Sequence, residues 1–242
     1  MRPEQDAFGQ FLLANLNSDS AIDEVIERDD NFISVMKPDL YFTSYDQWLP
    51  HVKSGLELAK GRILDIGIGA GRHALYLQEQ GFEVVGIDNS RLAVQVAKKR
   101  GVIDCRVMSI SDADESLGTF DTIIMLGNNW GLLGGYLQGQ SILYRLYQIT
   151  SDNAKIIAET TNPYTTEDPA HLQYHHVNRQ KGLMSGQIRF RVRYRQYCGD
   201  WMDYLLASLP EVKLLIEGTG WNLTQTFGDT DGQYTLILEK QT

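Results

Sequence analysis

The chain has 242 residues, enough for one large α/β domain with additions or at most two small ones. Its 31 acidic against 22 basic side chains give a formal net charge of −9, which disfavours nucleic acid and anionic membrane as partners unless one face is locally basic. Two cysteines, Cys105 and Cys198, exclude a disulfide framework and a cysteine-rich metal site and fit a reducing compartment. Acids fall within the first six residues, no apolar signal core follows, and no segment approaches bilayer-spanning length, so a cytoplasmic protein is expected.

Residues 1–60 read as a mostly helical lead-in. Phe8, Phe11, Leu12 and Leu16 share one face of a first helix, and Ala21, Ile22, Val25 and Ile26 share one face of a second, which Asp19 or Ser20 would cap. The aromatics Tyr41, Phe42, Tyr45 and Trp48 precede a helix through Val52, Leu56 and Leu58, and packing against the core is the plain expectation for each ring.

The stretch Ile63 to Asn89 organises the rest. Ile63, Leu64 and Ile66 suit a strand buried on both faces, and Gly67, Gly69 and Gly71 follow at once. A helix from about Ala70 to Gln80 stops at Gly81, and Val84, Val85 and Ile87 form a second strand. Asp88 ends that strand, where its two acceptor oxygens can take both hydroxyls of a ribose; capping the next helix is the plainer alternative.

Ser90 to Arg100 is a helix with a Ser cap, a basic end and Gly101 beyond it. Cys105 to Met108 is a third strand, followed by the loop Ser109 to Asp114. Asp121 to Leu126 is a fourth strand, Tyr136 to Ile149 a helix and Lys155 to Glu159 a fifth strand. From Thr161 the alternation breaks, and residues 161–199 read as a β-hairpin insert, with Leu172 to Lys181 before a turn and Gln187 to Tyr197 after it. In the second arm Arg189, Arg191, Arg193 and Arg195 alternate with apolar residues. They either bind an anionic acceptor or form a solvated face paired with the chain's excess acids. Ser208 to Glu211 is a capping box opening a helix, and Asn222 to Phe227 and Tyr234 to Glu239 are two closing strands.

The glycine spacing separates two cofactor classes. In the dinucleotide fingerprint a third glycine would fall at position 72, where Arg72 stands. The pattern Asp65-x-Gly67-x-Gly69-x-Gly71, with an acid 23 residues beyond Asp65, resembles motif I of the class I S-adenosylmethionine-dependent methyltransferases, of small-molecule type. That resemblance implies a Rossmann-like, seven-stranded, mostly parallel sheet with helices on both faces, closing on an antiparallel pair. It implies a lead-in or lid over residues 1–60 and a cofactor-binding domain over residues 61–242 that carries the insert.

It also implies a cofactor site. Gly67, Gly69 and Gly71 would let backbone approach the ligand, Asp65 would hold its ammonium and Arg72 its carboxylate, and Asp88 with the neighbouring Asn89 would take the ribose. Ile110, Ser111 and Asp112 would line the adenine, Leu126 would lie beside the sulfonium, and Tyr41 is the lead-in aromatic chosen as a ligand contact. No catalytic residue and no metal site is assigned; His175 and His176 are the available base candidates, though loop histidines are more often solvent-exposed. The expected partner is a small-molecule acceptor, with no nucleic acid and no membrane, for a monomer or homodimer. The alternatives are a cofactor-binding protein without catalysis and a nicotinamide-dependent oxidoreductase.

Overall fold

The computed structural model describes residues 5–16 and 22–240. Helix α1 (Ala7–Leu16) follows Asp6, whose carboxylate accepts the Gly9 N–H at 3.0 Å. Strands β1 (Glu24–Arg28) and β2 (Ile33–Met36) pair antiparallel through a turn with Asn31 at φ 71°. Helices α2 (Asp39–Phe42) and α3 (Pro50–Leu56) lead into β3 (Ile63–Ile66), α4 (Arg72–Glu79) and β4 (Val84–Asp88). Then come α5 (Arg91–Arg100), β5 (Asp104–Val107), β6 (Phe120–Met125), α6 (Tyr136–Gln148) and β7 (Thr150–Thr161). The chain continues through α7 (Pro169–Gln180), β8 (Gln187–Tyr194), β9 (Tyr197–Cys198) and β10 (Met202–Leu205). It closes with α8 (Leu209–Ile216), β11 (Trp221–Gly228) and β12 (Gln233–Lys240).

The expected α/β class holds. Seven strands form one sheet in the order β11-β12-β7-β6-β3-β4-β5. Pairs β4–β5 and β6–β7 are parallel, while β12 runs antiparallel to both β7 and β11. Every residue of β3 and β4 is buried, as a parallel strand covered on both faces requires. A second sheet has the order β10-β8-β1-β2, with β9 paired to β8.

The chain clusters into two compact units. The first takes residues 1–48, 64–112 and 189–202. Its core joins Ala7, Phe11 and Leu12 of α1 to Ala93 and Val96 of α5, with Ala70 and Tyr194. Ser90 caps α5 by accepting the Ala93 N–H at 2.9 Å, and three basic residues complement the dipole at its other end. The second unit takes residues 49–63, 113–188 and 203–242. Ile123, Ile124, Ile156 and Ile157 of β6 and β7 are fully buried there, and Trp221 donates its indole N–H to the Leu143 carbonyl at 3.0 Å.

Two sequence expectations need correction. The second lead-in helix is strand β1 from Glu24 onward, because a four-residue apolar pattern fits either period and the adjacent β-branched Val25 and Ile26 favour extended backbone. Its candidate caps Asp19 and Ser20 lie outside the described residues. In the insert, Leu172 to Gln180 belongs to helix α7, with Lys181 at its C-cap, and is not a hairpin arm. Asp168 caps that helix by accepting the Ala170 N–H at 2.8 Å, with Pro169 at its first position, a start signal present in the sequence. The hairpin lies further on, where β8 turns at Arg195 and Tyr194 pairs with Tyr197. Among the described residues no helix is long and apolar enough to cross a membrane.

Candidate cofactor site

The turn after β3 is built by backbone geometry. Gly67, Gly69 and Gly71 adopt φ of 73°, 53° and 80°, a region that L side chains rarely enter. The Gly67 and Ile68 N–H groups donate to the Ile87 carbonyl at 2.9 and 3.0 Å, holding the turn against the end of β4. Asp88 completes the attachment. Its Oδ2 accepts the Gly69 N–H at 3.0 Å and its Oδ1 the Ser90 N–H at 2.9 Å, leaving each oxygen lone-pair capacity for one further donor. Burial raises its carboxyl to about 6, against the pull of those two N–H groups.

Asp65 sits at 2 % exposure, and its Oδ2 has no hydrogen-bond partner. Burial pushes its carboxyl up to about 7, with Arg72 pulling the other way. An unpartnered buried carboxylate oxygen beside a glycine turn fits an ammonium group. The Arg72 guanidinium donates to the Leu40 carbonyl and, at 3.0 Å, to Thr43 Oγ1, so it fastens the α2 segment to the start of α4.

That segment carries Tyr41. A Cβ placed on Gly69 would lie 4.0 Å from Tyr41 Cδ1 and 3.7 Å from Phe8 Cζ, so two rings stand over the turn. Tyr41 also donates its hydroxyl to Glu24 Oε1 at 2.5 Å. Asn89 is exposed beyond Asp88. Ile110 is buried, Ser111 half-buried and Asp112 exposed in a short 3-10 turn after β5. All of these expected positions belong to the first unit.

Leu126 belongs to the second unit and is buried at the end of β6. The loop after it is held by side chains that the sequence did not single out. Glu159, 2 % exposed, accepts the Gly127 and Asn128 N–H groups through Oε2, at 2.5 and 3.3 Å. Tyr204 donates to the Asn128 carbonyl at 2.5 Å, and Thr161 donates to Asn128 Oδ1 at 3.0 Å. His51 places Nε2 3.8 Å from Glu159 Oε1 and Nδ1 2.9 Å from Thr235 Oγ1, and its burial lowers its pKa. Of the two expected base candidates on α7, His175 is buried and His176 is exposed with Gln180 as a neighbour. Phe8, Glu24, His51 and Glu159 lack a local motif and could be found only from the fold.

Comparison with known proteins follows the same geometry. Residues 63–136 match the family described as a methyltransferase domain. A S-adenosylmethionine-dependent methyltransferase from Bacteroides fragilis, solved with S-adenosyl-L-homocysteine, superposes with a TM-score of 0.84 at 27% identity, covering 100% of this chain and 98% of that one. A tRNA (uracil(54)-C(5))-methyltransferase of Pyrococcus horikoshii is 33% identical over 106 residues, 42% of this chain and 26% of its own length. A ubiquinone biosynthesis O-methyltransferase of Xanthomonas oryzae is 36% identical over 81 residues, 31% of this chain and 34% of its own. The curated relatives are thus matched over only about a quarter to a third of their length. Residues 63–136 thus match a methyltransferase domain, and the chain shares its fold from end to end with a S-adenosylmethionine-dependent methyltransferase.

Proposed function

We propose that the protein transfers the methyl group of S-adenosylmethionine to a small-molecule acceptor. The observation that carries this reading is the turn after β3, which combines the unpartnered Asp65 Oδ2 with the spare acceptor capacity of Asp88, the carboxylate that takes the Gly69 N–H. Asp65 would hold the ammonium and Asp88 the ribose hydroxyls, with Ile110, Ser111 and Asp112 toward the adenine. The bound cofactor supplies an electrophilic methyl on a sulfonium. What remains for the protein is to exclude water and align the acceptor, for which Phe8 and Tyr41 near Gly69 are suited; the part of the lead-in that carries these two rings then acts as a lid.

A net charge of −9 favours a small acceptor over RNA. The likeness to tRNA methyltransferase is confined to 42% of this chain and therefore says little about the acceptor. Calorimetric titration should give binding of S-adenosylmethionine and S-adenosylhomocysteine and none of NAD. A screen for S-adenosylhomocysteine release should then find turnover with a metabolite and none with total tRNA. Turnover on tRNA, or binding without turnover on any acceptor, would overturn the reading.

A further inference from the structure

Glu24 opens β1 at 1 % exposure. A carboxylate buried to that depth requires partners for both oxygens. The Tyr41 hydroxyl serves Oε1, whereas Oε2 is buried with no partner. The hydroxyl of Tyr194, 4 % exposed, is also without one.

Strand pairing puts these two orphans on the same side of one sheet. Val25 faces Arg193 and Ile26 faces Val192, so Glu24 and Tyr194 stand across from each other one step beyond. Arg28 pairs with Asp30, and Arg191 and Arg193 both pair with Glu27. The surroundings are aromatic: ring centroids lie 5.3 Å apart for Phe8 and Tyr41, 5.5 Å for Phe11 and Tyr41, and 6.0 Å for Phe11 and Tyr194. Phe8 and Tyr41 are also the rings above Gly69, so this wall adjoins the cofactor turn.

A carboxylate or phosphate on the ligand would meet an anion there, and a plain hydroxyl would leave the ring faces unused. An ammonium group satisfies the orphan oxygen by donation and the rings by cation–π attraction. Granted methyl transfer as proposed above, we infer that the acceptor is an amine, recognised by Glu24 within the wall of Tyr41, Phe8, Phe11 and Tyr194, and that Glu24 takes its proton. The ammonium gives one proton to Glu24 Oε2. The freed lone pair forms the nitrogen–carbon bond as the carbon–sulfur bond breaks and its electrons stay on sulfur. The product leaves as a methylammonium, and Glu24 returns its proton to solvent on release. Burial holds the Glu24 carboxyl up at about 7, against the lowering effect of Tyr41, which suits a group that must take and return a proton near neutrality.

The test titrates the full chain, loaded with S-adenosylhomocysteine, with 2-phenylethylamine, 2-phenylethanol and 3-phenylpropionate. The amine should bind at least tenfold more tightly than the alcohol and the carboxylate not at all. Glu24→Gln should abolish that preference while S-adenosylhomocysteine affinity stays within error. If the Gln variant does not fold, Tyr41→Phe, which removes one hydroxyl, should still weaken the amine at least threefold. No amine binding, equal binding of the alcohol or carboxylate, or a ranking unchanged in the variant overturns the assignment. Failure to bind S-adenosylhomocysteine at all would sink the methyl-transfer reading itself, whereas binding without amine preference sinks only the role of Glu24.

Discussion

Asp88 accepts the Gly69 N–H at 3.0 Å and the Ser90 N–H at 2.9 Å, so one carboxylate fixes both the turn after β3 and the entry to α5. Asp88→Ala should therefore act twice. Loss of the ribose acceptor should weaken S-adenosylmethionine binding by about 1–3 kcal/mol, and two unpaired backbone donors should lower the melting temperature of the ligand-free protein as well. Calorimetry and thermal unfolding of the same preparation separate the two effects. Unchanged affinity with a lowered melting temperature would leave Asp88 a purely structural clamp.

Gly69 and Gly71 share a left-handed backbone and differ in what surrounds them. A Cβ on Gly69 finds nothing nearer than the Phe8 ring edge at 3.7 Å, whereas one on Gly71 would lie 2.7 Å from Val102 Cγ2 and 3.3 Å from Ala97 Cβ. Gly69→Val should fold and lose cofactor binding. Gly71→Ala should destabilise the fold by about 2–4 kcal/mol through backbone strain and overpacking together. Tight cofactor binding by Gly69→Val would remove the turn from the site.

The Asp65 carboxyl is held near 7, above its ordinary value of 3.8, chiefly by burial. Its contribution to stability is fully present below the unfolded pKa and is lost as pH rises through the folded one. The ligand-free protein should therefore lose stability from about pH 4 to 7 and level off above. Asp65→Asn cannot ionise, so at pH 8 it should melt higher than the parent by about 2–8 °C, an advantage that vanishes near pH 4. It should also bind S-adenosylmethionine more weakly. A parent-like melting profile across pH would show that Asp65 does not carry this strain.

The arginine face of β8 resolves toward the plainer of its two sequence readings at Arg191 and Arg193. Both pair with Glu27, and the Arg191 guanidinium also lies over the Trp201 ring at 4.4 Å. Replacing Arg191 and Arg193 together by Met should leave cofactor affinity and acceptor KM unchanged and lower the melting temperature. A rise in acceptor KM alone would restore an anion-recognising role.

What was legible in the sequence is what the backbone dictates locally. Three glycines at positive φ, a strand on either side and an acid at the second strand's end carry their own signature from Asp65 to Asp88. Glu24 was hidden because EVIER is too short for its period to be read, and its meaning depends on Tyr41 and on a strand at Tyr194 far along the chain. Glu159 was hidden in the same way, since its partners lie on the loop at Gly127 and on α3 at His51. The α7 helix was misread despite a legible cap, because the alternating arginines beside it suggested a hairpin.

Asp6 reaches further than its place before α1 implies. Besides the Gly9 N–H, its carboxylate accepts the Ser90 hydroxyl at 2.6 Å and the Leu92 N–H at 3.0 Å, 84 and 86 positions away. Ser90 in turn caps α5 immediately after Asp88. A graft or cut that draws α1 off its seat would therefore bare an amide of α5, free the hydroxyl that caps it and lift Phe8 from above Gly69 in a single event. The leading helix is a handle on the ligand turn, so a fusion partner joined close to it would work on affinity as a lever does.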